Sequence, residues 1–279
     1  MLTKSDLHRD WHLRFAWPIA AGLLLGWQPA AAQKVGMGLS PMRMELRLAP
    51  GASYSGTLRL VNEGELIRVR TSVLDFQLDA EQNPQFEPSL SQEADYTCRS
   101  WLTVNPMEAE LSAKGEIPVR YTLRVPADAQ PRSYYCAAGF TSQPTASDVN
   151  GFGIRTAVRV VASFYVVVGN PVVEGHLSAI SLEQVPGSQD LRAVVVLENS
   201  GKMFYRPAGT LAVLDPGGAA IESFDFTPLP VLPERKQRFL FPLKQVSGGQ
   251  PVTLRVRVDV GTGEIEEGTV VVQRAVVPQ

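Results

Sequence analysis

The apolar residues of this chain come in short runs of Val, Ile, Leu and aromatic side chains, each closed by Gly, Pro, Asn or Asp, and this punctuation constrains the fold most. Runs of that kind read as strands separated by turns. No stretch beyond the N-terminal leader sustains the 3.6-residue period of an amphipathic helix. Strands are expected near Met42–Leu48, Ser55–Val61, Ile67–Leu78, Leu102–Leu111, Ile117–Val125, Tyr134–Thr141 and Ile154–Val168. Gly169-Asn170-Pro171 then breaks the run, because Pro171 has no N–H to give a strand ladder. A second set is expected near His176–Leu182, Leu191–Glu198, Gly209–Leu214, Ile221–Phe226, Arg238–Phe241, Val252–Val260 and Gly268–Val276. The expected fold is all-β, with two immunoglobulin-like β-sandwich domains over residues 33–170 and 171–279.

Two features within these halves carry further expectations. Leu58-Arg59-Leu60-Val61-Asn62-Glu63-Gly64 has a weak echo in Val195-Val196-Leu197-Glu198-Asn199-Ser200-Gly201. Either duplication or convergent turn chemistry explains it, with Asn and Gly supplying left-handed turn backbone. The stretch Asp79–Ser100 holds Asn83-Pro84 and Pro88 without sustained alternation, so a long mobile loop is expected there.

The first 32 residues have the order of a secretory signal: Lys4, Arg9 and Arg14, an apolar run from Phe15 to Trp27, then Ala30-Ala31-Ala32. Cleavage is expected after Ala32. The run is 13 residues long, shorter than the roughly 20 needed to cross a bilayer, so a permanent anchor is the weaker reading and no membrane span is expected after cleavage. The expected destination is the periplasm, with the cell surface as the alternative. Setting aside Lys4, Arg9, Arg14, Asp6 and Asp10 leaves 23 of the 26 basic and 26 of the 28 acidic residues, a balance that gives no reason to expect nucleic acid.

Cys98 and Cys136 are the two cysteines. In an oxidising compartment the pair reads as a disulfide, with two buried thiols as the alternative. His176 is the one histidine after the leader, so neither a His/Cys metal site nor a Ser-His-Asp arrangement is expected. The glycine-rich pieces lack the Lys-Ser/Thr ending of a phosphate loop and read as turns. Carboxylates remain, with Asp75, Asp95, Asp225 and Asp259 nearest apolar or aromatic residues, so a carboxylate-dependent hydrolase stays as a third reading. The expectation is a protein that is not an enzyme and carries no cofactor.

Ser40-Pro41-Met42-Arg43-Met44-Glu45-Leu46, then Pro50-Gly51 and a strand ending in Asn62, resembles the opening of the periplasmic pilus (fimbrial) chaperone family. The resemblance continues at Trp101-Leu102-Thr103-Val104-Asn105-Pro106, at Val119-Arg120 and at Ser163-Phe164-Tyr165, so that it covers most of residues 38–170 and, more loosely, the second domain. It implies two immunoglobulin-like domains set at an angle, and a partner subunit held by lending it a strand. In the family a first-strand arginine and a last-strand lysine grip the subunit's terminal carboxylate; Arg43 falls on the arginine, whereas the lysine position is Ala162, with Arg159 the nearest base. Aligned on Phe164, the donor face is Arg155-Ala157-Arg159, while Ile154, Thr156, Val158 and Val160 share the other face. Either the register differs, or this is a relative with the fold and another partner.

The leading expectation is therefore a chaperone-like protein that binds a subunit of a surface fibre, or another secreted protein, by strand addition. The alternative is a structural or adhesive cell-envelope protein without chaperone activity. The candidate partner-binding residues are Arg43, Arg155, Val158, Arg159 and Val160, on a pairable edge near Ile154–Val161 where Arg155 and Arg159 act as edge guards. Ordinary solvated strand arginines are the plainer reading of Arg43, Arg155 and Arg159.

Overall fold

A computed structural model describes residues 36–79, 83–88, 95–143, 157–246 and 251–273. The expected signal segment and the candidate residue Arg155, with its neighbours Ile154 and Thr156, lie outside them. The first half folds as β1 (Met37–Ser40), β2 (Arg43–Leu48), β3 (Ser53–Asn62), β4 (Ile67–Leu78), β5 (Pro84–Glu87), β6 (Leu102–Asn105), β7 (Glu108–Leu111), β8 (Glu116–Arg124), β9 (Ser133–Gln143) and β10 (Arg159–Val168). The second half folds as β11 (Gly175–Gln184), β12 (Leu191–Asn199), β13 (Ala208–Leu214), β14 (Ala220–Asp225), β15 (Arg235–Leu243), β16 (Val252–Asp259) and β17 (Ile265–Val272). No α-helix occurs among the described residues.

Two facing sheets make the first sandwich, in the orders β1-β3-β8-β6 and β2-β10-β9-β4-β5, with β7 also paired to β4. The second has sheets β11-β12-β15 and β14-β13-β16-β17. Alternation selects the buried faces: Val119, Tyr121 and Leu123 of β8 are buried between exposed Glu116, Arg120 and Arg124. On β16, Val252, Leu254, Val256 and Val258 are buried while Arg255 and Arg257 face solvent. Leu58, Tyr121, Phe140 and Phe164 centre the first core; Leu211, Phe226, Phe239 and Val256 centre the second.

Proline marks two places where a strand changes sheets. β1 pairs with β3 in one sheet, and after Ser40-Pro41 the chain re-enters the other as β2, parallel to β10. The expected single strand Leu102–Leu111 is likewise two: β6 pairs with β8, and beyond Pro106 β7 pairs with β4. A proline cannot continue a ladder, so the chain crosses between layers there.

The expected loop Asp79–Ser100 is held in its described parts. Pro84–Glu87 pairs with Asp75–Leu78, Thr97 bridges Tyr135, and Cys98 is bonded to Cys136 with a Cα separation of 5.2 Å. The echoed motif also differs from its reading as left-handed turn backbone. Asn62 and Asn199 are both buried amides. Asn62 Oδ1 accepts from Gly64 N–H at 3.0 Å, and Nδ2 donates to the Leu111 and Ser112 carbonyls. Asn199 does the same with Gly201 N–H at 3.0 Å and the Met203 and Val231 carbonyls. Left-handed backbone is instead found at Gly169 (φ 66°), just after β10, where a Cβ would come within 3.1 Å of Pro131.

Candidate partner-binding edge

β2 runs beside only part of β10. Their register begins at Ser163 opposite Arg43, and Ser163 N–H donates to the Met42 carbonyl at 2.9 Å. Backbone polar groups alternate sides along a strand, so Val161 and Arg159 turn their N–H and C=O the same way as Ser163. No described residue pairs with those groups on Val161 and Arg159. The result is a half-edge from Arg159 to Ala162, in line with β2 and open where β2 has not yet begun. Met42, 56% exposed, stands at its end.

The candidate residues take distinct places around this edge. Arg43 is exposed on the first residue of β2, with Nε 3.4 Å from Glu45. Arg159 lays its guanidinium back over its own sheet, donating to Thr141 Oγ1 at 3.3 Å and to the Phe86 carbonyl at 3.5 Å. Val160 turns inward and packs against the first core. Val158 turns its N–H to Ser142 Oγ at 2.9 Å and its carbonyl to Ser142 N–H at 2.9 Å, so its backbone does not face outward. Ala162 is fully buried on the inward face, where a lysine would place its ammonium in the core. The structure thus brings Arg43 and the edge together.

A second group was not legible in the sequence. The outer face of β9 and β10 carries Tyr135, Tyr165 and Val167, which pack with Phe76 and Tyr96 against Phe204 and Leu232 of the second sandwich. Arg206 of the second sandwich donates to Glu45 of β2 at 3.0 Å, and its guanidinium lies 5.0 Å above the Tyr165 ring. Burial pushes the Tyr165 phenol up against the opposing pull of Arg206. A cleft of about 640 Å³ opens beside this contact, lined among others by Glu45, Arg47, Val167, Phe204 and Arg206. On the other flank Tyr96 OH donates to Glu234, which also pairs with Lys202. Lys202 holds the Glu234 carboxyl below its ordinary range, and burial together with Glu234 raises the Tyr96 phenol.

Among the described residues no cluster of three or more His, Cys, Asp or Glu could hold a metal ion, and no helix is long and apolar enough to cross a membrane. His176 faces Glu266 at 3.7 Å. Asp75 is buried against Thr97 Oγ1 and Arg99, and Asp259 Oδ1 accepts from the Gly261 and Gly263 amides.

No family model matches the chain, and no curated protein matches it. Solved structures are similar to it across nearly their whole length. The class 5 fimbriae chaperone CfaA is 10% identical, with 87% of this chain and 100% of that one covered and a TM-score of 0.43. A chain of the Salmonella enterica complex of the SafA pilin with the SafB chaperone is 17% identical, with 87% and 99% covered and a TM-score of 0.42. The E. coli chaperone DraB is 14% identical, with 84% and 98% covered and a TM-score of 0.40.

Proposed function

We propose that this protein is a periplasmic, chaperone-like binder that takes an extended segment of a fimbrial or other secreted subunit as an added strand beside Val161 of β10. One observation carries the reading: β2 starts at Arg43, and the outward N–H and C=O groups of Arg159 and Val161 have no partner among the described residues. A row of unpaired backbone groups is a template for another chain. Met42 offers that chain an apolar contact, and Arg43 offers its carboxylates an exposed guanidinium that also pairs with Glu45. The family resemblance of the first-domain sequence supports the same reading.

The test is capture from periplasmic extract by the wild type and by Val161→Pro, Arg43→Ala and Arg159→Ala, with captured proteins identified by mass spectrometry. Wild type should recover an exported subunit. Val161→Pro removes the outward N–H and should reduce recovery about tenfold or more, with Arg43→Ala weaker in effect. Arg159→Ala, whose guanidinium is turned back over the sheet, should change recovery least. Equal recovery by all four proteins, or none by any, would overturn the proposal in favour of a structural or adhesive role.

A further inference from the structure

We propose that the Cys98–Cys136 bridge serves to couple the two sandwiches: it holds Tyr96 where Tyr96 latches the second domain, and the core of the first sandwich folds without it. The starting point is the path of β4. Its pairing with β9 ends at Leu74 opposite Ala137, and from Asp75 onward it pairs with β5 instead. Residues 96–98 take the vacated place beside Tyr135, through Tyr135 N–H to the Tyr96 carbonyl at 2.8 Å and Cys98 N–H to the Tyr135 carbonyl at 3.3 Å. Beside these two backbone hydrogen bonds the segment is held by Thr97 and Arg99 on Asp75, all non-covalent and at one end of an open chain; the covalent bond to Cys136 two residues from Tyr96 fixes it.

Tyr96 is the residue this anchoring presents to the second sandwich. Its ring stacks on Tyr135 at 6.1 Å and lies under Arg132 at 5.2 Å. Its hydroxyl donates to Glu234 and accepts from Lys202 Nζ at 3.4 Å, and both of those residues belong to the second sandwich. On this flank the other polar links are single hydrogen bonds, Ser133 N–H to the Lys202 carbonyl at 2.8 Å and Phe204 N–H to Ser133 Oγ at 3.1 Å, while Arg206 on Glu45 ties the opposite flank. The first core includes both sulfurs, fully buried, but the larger Leu58, Leu123, Phe140 and Phe164, also fully buried, fill most of it. Alanine at 98 and 136 removes two buried sulfurs, at a cost in stability, and leaves those larger side chains to hold the core together.

The test compares wild type, Cys98→Ala/Cys136→Ala, and Tyr96→Ala with the bridge intact, by amide hydrogen exchange and small-angle X-ray scattering. Both variants should keep the exchange protection of the β8 and β9 core amides. In both, exchange at Ser133 and Phe204 should rise about tenfold or more, and the scattering distance distribution should broaden. Unchanged exchange at those two amides in either variant overturns the proposal. So does loss of core protection in the double cysteine variant, which would make the bridge a requirement of the sandwich itself.

Discussion

Val158, the residue just before β10, donates its backbone N–H to Ser142 Oγ of β9 at 2.9 Å. Proline at 158 removes that donor and should destabilise the first sandwich by about 1–3 kcal/mol, the usual cost of leaving a part-buried hydrogen-bonding group unpaired. Proline at 161, whose N–H faces the open edge, should cost much less. Urea denaturation of the two variants gives the comparison, and equal costs would contradict the assigned register.

Asn62 and Asn199 should each be worth more than an ordinary polar side chain. Each amide is 1% exposed and ties a strand end to a neighbouring carbonyl and to the glycine amide two residues on. Asn62→Ala and Asn199→Ala should each lower stability by about 2–3 kcal/mol, since the abandoned groups stay buried. Each loss should appear in the unfolding of its own domain.

The Glu234 contact should depend on pH. Its carboxyl is held below the ordinary value of 4.5 by Lys202 and by Tyr96. A depressed carboxyl contributes stability that is present above the unfolded value and is lost as pH falls through the folded one. Exchange at Ser133 and Phe204 should therefore quicken below about pH 4.5, taking the unfolded carboxyl value as the upper limit. Glu234→Gln should remove that dependence and leave faster exchange at neutral pH. Solvent screens this exposed pair, so the effect should shrink in high salt.

Gly56 should tolerate no side chain without repacking. A Cβ there would lie 2.4 Å from the Tyr121 hydroxyl and 2.5 Å from the ring carbon bearing it. Tyr121 is itself buried edge-on against Phe164 at 4.9 Å. Gly56→Ala should cost about 1–3 kcal/mol as an overpacked site, read by thermal unfolding.

The chain's own pattern determined the fold class and most strands. Alternation along β8 and β16, and the apolar runs of β3 and β4, reflect a pleat that puts successive side chains on opposite faces, a property each strand has by itself. The pairing of Cys98 with Cys136 was also legible, because two cysteines in one chain leave one possible intramolecular bridge. What a strand cannot carry in its sequence is the identity of its neighbours. Val158 reads as apolar and pairable, yet whether its N–H meets solvent or Ser142 depends on the register of β9. β9 is buried at every position from Ser133 to Phe140 because Phe204 and Leu232 of the other sandwich contribute to covering its outer face. Glu45 and Arg206, 161 residues apart, are read alone as two solvated charges. Only the tertiary structure decides such pairs, because folding brings together side chains whose separation in sequence sets no distance between them.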